Sequence, residues 1–110
     1  MSHCHCSMCR KAHGAAFGTY ARVNRTDFTL LSGEDHIASY RSSAGVLRTF
    51  CRSCGSTLQF ITEARADSFA LASGTLDDDP GIRPSYHIFV DSKAPWFEIT
   101  DELPQHAAYT

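Results

Sequence analysis

Val46-Leu47-Arg48-Thr49-Phe50-Cys51-Arg52-Ser53-Cys54-Gly55-Ser56-Thr57-Leu58-Gln59-Phe60-Ile61-Thr62 reads as two extended segments, Val46 to Cys51 and Ser56 to Thr62, around a tight turn that carries two cysteines. The turn has the form of a zinc knuckle, with two sulfurs one turn apart and then a glycine able to take the left-handed backbone the knuckle needs. Outward from this stretch, apolar residues recur with period two more often than with helical period, the mark of half-buried strands. In Ala16 to Val23, for example, Phe17, Thr19, Ala21 and Val23 alternate with Gly18, Tyr20 and Arg22. Further strands are predicted at Thr26 to Leu31, His36 to Arg41, Ser68 to Ala72 and Tyr86 to Val90.

Turn formers separate these segments: Ser32-Gly33-Glu34, Ser42-Ser43-Ala44-Gly45, Ser73-Gly74 and Asp79-Pro80-Gly81. Such spacing predicts a mainly β fold of antiparallel sheets with little helix. Helical turns are expected only at Ser7 to His13 and at Leu76 to Gly81. The stretch Ala94 to Thr110 lacks clear period, and Trp96 and Phe97 are expected to pin it onto the sheet. At 110 residues, with no repeat, low-complexity run or linker, the chain is expected to form a single domain over residues 1–110.

Ten basic and twelve acidic residues give a net charge of −2, with no long run of either sign. Nucleic acid is therefore not an expected partner, because phosphate binding needs concentrated Lys and Arg. No apolar stretch approaches the roughly 20 residues that span a bilayer, and the N-terminus opens on polar, metal-binding residues, so no membrane is expected either. The run Asp77-Asp78-Asp79 before Pro80-Gly81 reads as a solvated turn, since no carboxylates follow at the spacing of a calcium loop. All five cysteines lie in two tight clusters, which suits metal binding in a reducing compartment, the cytoplasm, better than a disulfide framework.

The first cluster, Cys4-His5-Cys6-Ser7-Met8-Cys9, places three sulfurs within six residues, close enough for one turn to aim all three at one ion. Soft thiolates favour Zn²⁺, and three protein ligands leave a fourth tetrahedral position open for chemistry. A structural site completed by His3, His5, His13 or a cysteine of the second cluster fits the spacing equally well. Five cysteines cannot fill a three-cysteine and a four-cysteine site together, so Cys51 and Cys54 either share a zinc with the first cluster, lack two partners, or stand as reduced thiols in a turn held by the sheet. A structural zinc contributes about 10–16 kcal/mol in small peptides, comparable with the net stability of a whole domain, so a bare pair forgoes a large contribution.

The chain resembles the glutathione-dependent formaldehyde-activating enzyme family, which includes the centromere protein V domain. The resemblance rests on Ser2-His3-Cys4-His5-Cys6-Ser7-Met8-Cys9-Arg10-Lys11, on Phe50-Cys51-Arg52-Ser53-Cys54-Gly55-Ser56-Thr57-Leu58, on Ala72-Ser73-Gly74-Thr75-Leu76-Asp77-Asp78 and on His87-Ile88-Phe89-Val90-Asp91-Ser92-Lys93-Ala94-Pro95-Trp96. It implies a β-tent of antiparallel sheets around zinc-thiolate sites, with one or two Zn²⁺ per chain. By resemblance, Cys4, Cys6 and Cys9 hold a catalytic zinc, and Cys51 and Cys54 are half of a structural one. The other half, a Cys-x-Cys pair on an earlier strand, has no counterpart in this sequence. Loss of that strand would leave a sheet edge open, which favours a homodimer.

The activity the resemblance implies is that of a carbon–sulfur lyase, joining a small thiol such as glutathione to an aldehyde, as in S-hydroxymethylglutathione, or cleaving the adduct. Three thiolates leave a zinc site with one net negative charge, so it polarises carbonyls weakly yet still binds and deprotonates an incoming thiol. Arg10 and Lys11 follow the last ligand and are candidates to offset that charge or bind a substrate carboxylate; both also fit a solvated turn. His5 fits a hydrogen-bond donor behind the ligands, a proton relay, or a side chain pointing at solvent. His87 reads as a satisfied strand histidine, Trp96 as a core anchor, and Thr19 and Tyr20 as pocket-lining. The alternatives to the enzyme are a non-catalytic zinc-binding β module that binds a protein partner, and a degenerate fragment that keeps only the fold.

Overall fold

The period-two segments form strands wherever a neighbouring backbone is present to complete the ladder. The computed structural model describes residues 1–109. In chain order the elements among the described residues are β1 (Ser2–Cys4), α1 (Ser7–His13), β2 (Gly18–Asn24), β3 (Ile37–Ser43), β4 (Val46–Cys51), β5 (Thr57–Thr62), β6 (Ser68–Ala72) and β7 (Tyr86–Ile88), with four single turns of 3₁₀-helix between them and a fifth, Val90–Ser92, after β7. The fold is mainly β with one short helix, as the periodicity indicates. The chain divides into two units, one of Met1–Tyr20 with the segment from Asp78 onward, the other of Ala21–Asp77.

The second unit is a meander in the order β3-β4-β5-β6, followed by the latter part of β2. β3 and β4 pair antiparallel with Tyr40 opposite Arg48, and β4 and β5 with Leu47 opposite Ile61. A register shift between Thr49 and Phe50 leads β4 into the knuckle. The knuckle closes through Cys51 N–H to Ser56 O at 2.9 Å and Gly55 N–H to Cys51 O at 2.7 Å, with Gly55 at φ 83°. Phe69 of β6 is 1% exposed and centres the core of this unit, met edge-on by Phe28 at 5.1 Å. Arg48 is buried too, its guanidinium stacked 4.8 Å from the Phe60 ring and its Nε donating to Ser42 Oγ.

In the first unit β1 lies between β2 and β7, antiparallel to one (Cys4 opposite Gly18) and parallel to the other (Cys4 opposite Ile88). The aperiodic C-terminal stretch adds to the far side of β7: His87 N–H donates to Pro104 O at 2.8 Å and accepts at its carbonyl from His106 N–H at 3.0 Å. Among the described residues, no helix is long and apolar enough to cross a membrane.

Four expectations are corrected. Thr26 to Leu31 is not a strand: Arg25–Asp27 form a 3₁₀ turn, with Arg25 N–H on Asp67 O and Arg25 Nε on Ala66 O, and Leu31 stands 91% exposed. Those contacts turn the chain out of the ladder, and apolar content alone cannot hold a strand that has no partner. Leu76 to Gly81 is not helical either, because Asp79 Oδ1 takes the Gly81 N–H at 2.9 Å, Pro80 has no N–H, and Gly81 sits at φ 78°. β7 stops at Ile88 instead of Val90, where Phe89 adopts φ 56°. Trp96 is 71% exposed and anchors no core; Phe97, half-buried, does the pinning. β1, three residues long, is too short to show a period and has no predicted counterpart.

Candidate metal centre

The first cysteine cluster sits where β1 gives way to α1. Cys4 is the last residue of the strand, Cys6 is the N-cap of the helix and Cys9 lies in its first turn. Cys6 has extended backbone (φ −62°, ψ 149°), and its sulfur accepts the Cys9 N–H at 3.3 Å, occupying the place a Ser or Asp usually takes at a helix start. Gly14 at φ 59° closes the helix, its N–H bonded to Arg10 O, and Arg10, Lys11 and His13 complement the negative end of the helix. Strand end and helix cap thus bring the three sulfurs together by local geometry.

All three Sγ atoms lie within 4.8 Å of one another, with Cys4 and Cys9 buried and Cys6 partly so. Tetrahedral zinc, with Zn–S bonds of about 2.3 Å, puts its sulfurs about 3.8 Å apart, so the cage is of the right size. Hydrogen bonds with Cys6 and Cys9, and then burial, push the Cys4 thiol up from its ordinary range. Thiols crowded in this way ionise together only when a cation offsets their charge, so the donor set fits a soft metal ion.

No histidine joins this group among the described residues. His3 Nδ1 is 2.8 Å from Thr19 Oγ1, and His13 Nε2 is 2.7 Å from the Tyr20 hydroxyl. His5 does not point at solvent: it is 0% exposed, with Nε2 2.8 Å from His87 Nδ1 and its ring 5.1 Å from that of Phe17. His87, 2% exposed, continues the chain through Nε2 to both carboxylate oxygens of Asp101 at 3.1 and 3.0 Å. Burial, then the charges of His87, His3, Lys93 and Arg10, lower the His5 pKa to about 4, which keeps its ring neutral at physiological pH. Asp101 carries no sequence signal, since it lies in the aperiodic stretch, and its partnership with His87 is visible only in three dimensions.

The candidate substrate groups have mixed placements. Arg10 Nε donates to Ser92 O at 3.1 Å, which orients the guanidinium, and Lys11 is exposed. Lys93 Nζ is held by the carbonyls of Ala94 and Phe97. Lys93 also lines an open groove of about 560 Å³ with Trp96, Phe97, Ile99 and Gln105, among others. Thr19 and Tyr20 serve His3 and His13 as hydrogen-bond partners.

In the second unit Cys51 is partly buried and Cys54 exposed. The Ser56 hydroxyl lies 3.2 Å from Cys54 Sγ; this contact, then the Ser56 backbone and Cys51, lowers the Cys54 pKa. Neither cysteine belongs to a group of three or more potential ligands among the described residues. The knuckle is formed and its two remaining ligands are not gathered there.

A mainly β chain that gathers three cysteine sulfurs at a strand-to-helix junction presents a group able to hold a metal ion. The chain belongs to the glutathione-dependent formaldehyde-activating enzyme family, whose model matches residues 1–92. Among solved structures it is similar in fold to a Rhodobacter sphaeroides protein determined by structural genomics, at TM-score 0.58 and 23% identity, covering 76% of this chain and 77% of that one. No curated protein matches it.

Proposed function

We propose that the chain is a zinc-dependent carbon–sulfur lyase that forms or cleaves the adduct of a small thiol, such as glutathione, with formaldehyde. The observation that carries this reading is the Cys4, Cys6, Cys9 cage, whose three sulfurs would hold one zinc and which no further His, Cys, Asp or Glu joins among the described residues. In the forward direction the thiol sulfur bonds to the carbonyl carbon, the C=O π bond breaks, and the thiol proton ends on the carbonyl oxygen. Oxidation states do not change, so no redox partner is required. Zinc held by the three thiolates supplies a site where the substrate thiol is kept as a thiolate near neutral pH.

The chain's own residues then have four tasks. Cys4, Cys6 and Cys9 present the sulfurs. Arg10, fixed by Ser92, offsets the negative charge and binds a substrate carboxylate, and Lys11 at the exposed end of the helix contributes to the same field. His5, buried behind Cys4 and Cys6, serves as a proton relay. The groove along Trp96 and Phe97 takes the remainder of the thiol compound. Cys51 and Cys54 are the half-site for a second zinc, the finer part of the proposal. Five cysteines in two tight clusters suit a metal site in the reducing cytoplasm.

Exchange NMR of formaldehyde with glutathione tests the reading. Zinc-loaded protein is expected to accelerate exchange over buffer, and Cys9→Ser to abolish the acceleration. Wild-type protein that binds zinc at Cys9 and accelerates nothing would contradict the enzyme and favour a zinc module that binds a protein partner, for which exposed Trp96 offers an apolar contact.

A further inference from the structure

In the turn between β4 and β5 stand two sulfurs that the proposed lyase site does not use. Cys51 ends β4, Cys54 follows three residues on, and their side chains are in hydrogen-bonding contact, close to the spacing that two ligands of one tetrahedral zinc take up. The turn is already set: Cys51 N–H donates to Ser56 O at 2.9 Å, Gly55 N–H donates to Cys51 O at 2.7 Å, and Gly55 takes the left-handed backbone at φ 83°. The Ser56 hydroxyl, 3.2 Å from Cys54 Sγ, is placed to donate to a thiolate there. A half-site therefore stands preformed, with Cys54 and its neighbours Arg52, Ser53, Gly55 and Ser56 exposed.

Two more ligands are needed to close a structural zinc, and the residue of ligand type beside the turn is otherwise engaged. His36 accepts the Arg52 N–H at its carbonyl at 2.8 Å, while its ring has Nδ1 2.6 Å from Ser53 Oγ and Nε2 4.0 Å from Asp35. Among the described residues no third His, Cys, Asp or Glu gathers with Cys51 and Cys54. A second copy of the chain presents the missing pair in the right chemistry, two sulfurs at the same spacing on an equally exposed turn. Two such half-sites related by a two-fold axis through the metal make a complete four-thiolate site, and the arrangement is closed, so it stops at a dimer. Zn²⁺ with four thiolates carries two net negative charges, and Arg52, between the two cysteines of each copy, supplies a compensating positive charge from either side. A structural zinc contributes on the scale of a domain's folding free energy, so such a dimer needs less apolar interface than one held by packing alone.

We propose that Cys51 and Cys54 of two copies of this chain hold one shared Zn²⁺, which makes the protein a zinc-bridged homodimer. The proposal rests on the second-zinc part of the proposed function and is independent of the lyase activity.

The test is size-exclusion chromatography with multi-angle light scattering on the full chain supplied with zinc alone, the zinc in each peak being counted by elemental analysis. Wild type is expected to elute as a dimer with about three zinc ions per two chains, one in each three-cysteine cage and one between the turns. Cys54 is exposed, so Cys54→Ser is expected to fold, read as wild-type far-ultraviolet dichroism, and to elute as a monomer with about one zinc per chain. A wild-type monomer with a second zinc that Cys54→Ser loses would overturn the shared site, while the half-site would stand with ligands from its own chain. A wild-type monomer with a single zinc that Cys54→Ser retains would overturn both. A dimer without the extra zinc, or a folded Cys54→Ser that still dimerises, would show an interface that does not use the metal and would overturn the bridge. Exchange of formaldehyde with glutathione reads the lyase activity on its own, so failure there leaves these outcomes unchanged.

Discussion

Gly18 shows how closely the neighbourhood of the cysteine cage is packed. A Cβ there would stand 2.8 Å from the His13 ring and 2.8 Å from the Tyr20 ring, the pair joined by the 2.7 Å hydrogen bond. Gly18→Ala is expected to destabilise the fold by about 1–3 kcal/mol, read as a lower urea midpoint at unchanged m-value. Asp79 is a contrasting, exposed case. Arg83, then the Gly81 N–H, hold its carboxyl down at about 2. A carboxylate depressed on folding adds stability above its ordinary pKa near 3.8 and loses it as pH falls through about 2. Asp79→Asn is therefore expected to flatten the acid limb of the midpoint-against-pH curve below about pH 4, modestly, because water screens an exposed pair. At this scale the sequence exposed the sulfurs fully and the histidines only in part. Cys4, Cys6 and Cys9 declare themselves by spacing, while His5 between them is equally compatible with relay and solvent until its burial is known. Asp101 and His87 are 14 positions apart, and no local pattern links them.

Among the elements, α1 was expected over Ser7 to His13 and forms with those bounds, although its N-cap is a cysteine and not one of the preferred capping residues. Its unusual feature is that Cys6 is at once cap and sulfur donor. Serine is a preferred N-cap but a poor soft-metal ligand, so the two roles separate by mutation. Cys6→Ser is expected to retain the far-ultraviolet dichroism of the wild type and to lose at least tenfold in zinc affinity. Wild-type affinity in that variant would remove Cys6 from the cage. The misread element, Thr26 to Leu31, fails for a reason outside its own residues: side-chain pattern proposes a strand, but backbone partners decide, and here Arg25 is committed to Ala66 and Asp67. β1 was hidden for the opposite reason. Three residues suffice when a strand lies between two others, and three are too few to display a period.

For the molecule as a whole, the mainly β class was readable from alternation and turn spacing, whereas strand order was not. The neighbours in the meander β3-β4-β5-β6 follow one another in sequence, but β1 pairs in parallel with β7, more than 80 residues away, and periodicity carries no information about such a partner. The unit of Ala21–Asp77 depends on Phe69, and Phe69→Ala is expected to cost about 3–5 kcal/mol of stability, measured by denaturant unfolding. The unit that contains Met1–Tyr20 carries the chemistry, and the central claim is that its three sulfurs hold the metal. Zinc counted per chain by elemental analysis, in wild type, Cys9→Ser and Cys51→Ser, tests this most directly. The account predicts zinc in the wild type, its loss from Cys9→Ser, and retention of the Cys4, Cys6, Cys9 zinc in Cys51→Ser; full zinc in Cys9→Ser with none in Cys51→Ser would contradict it.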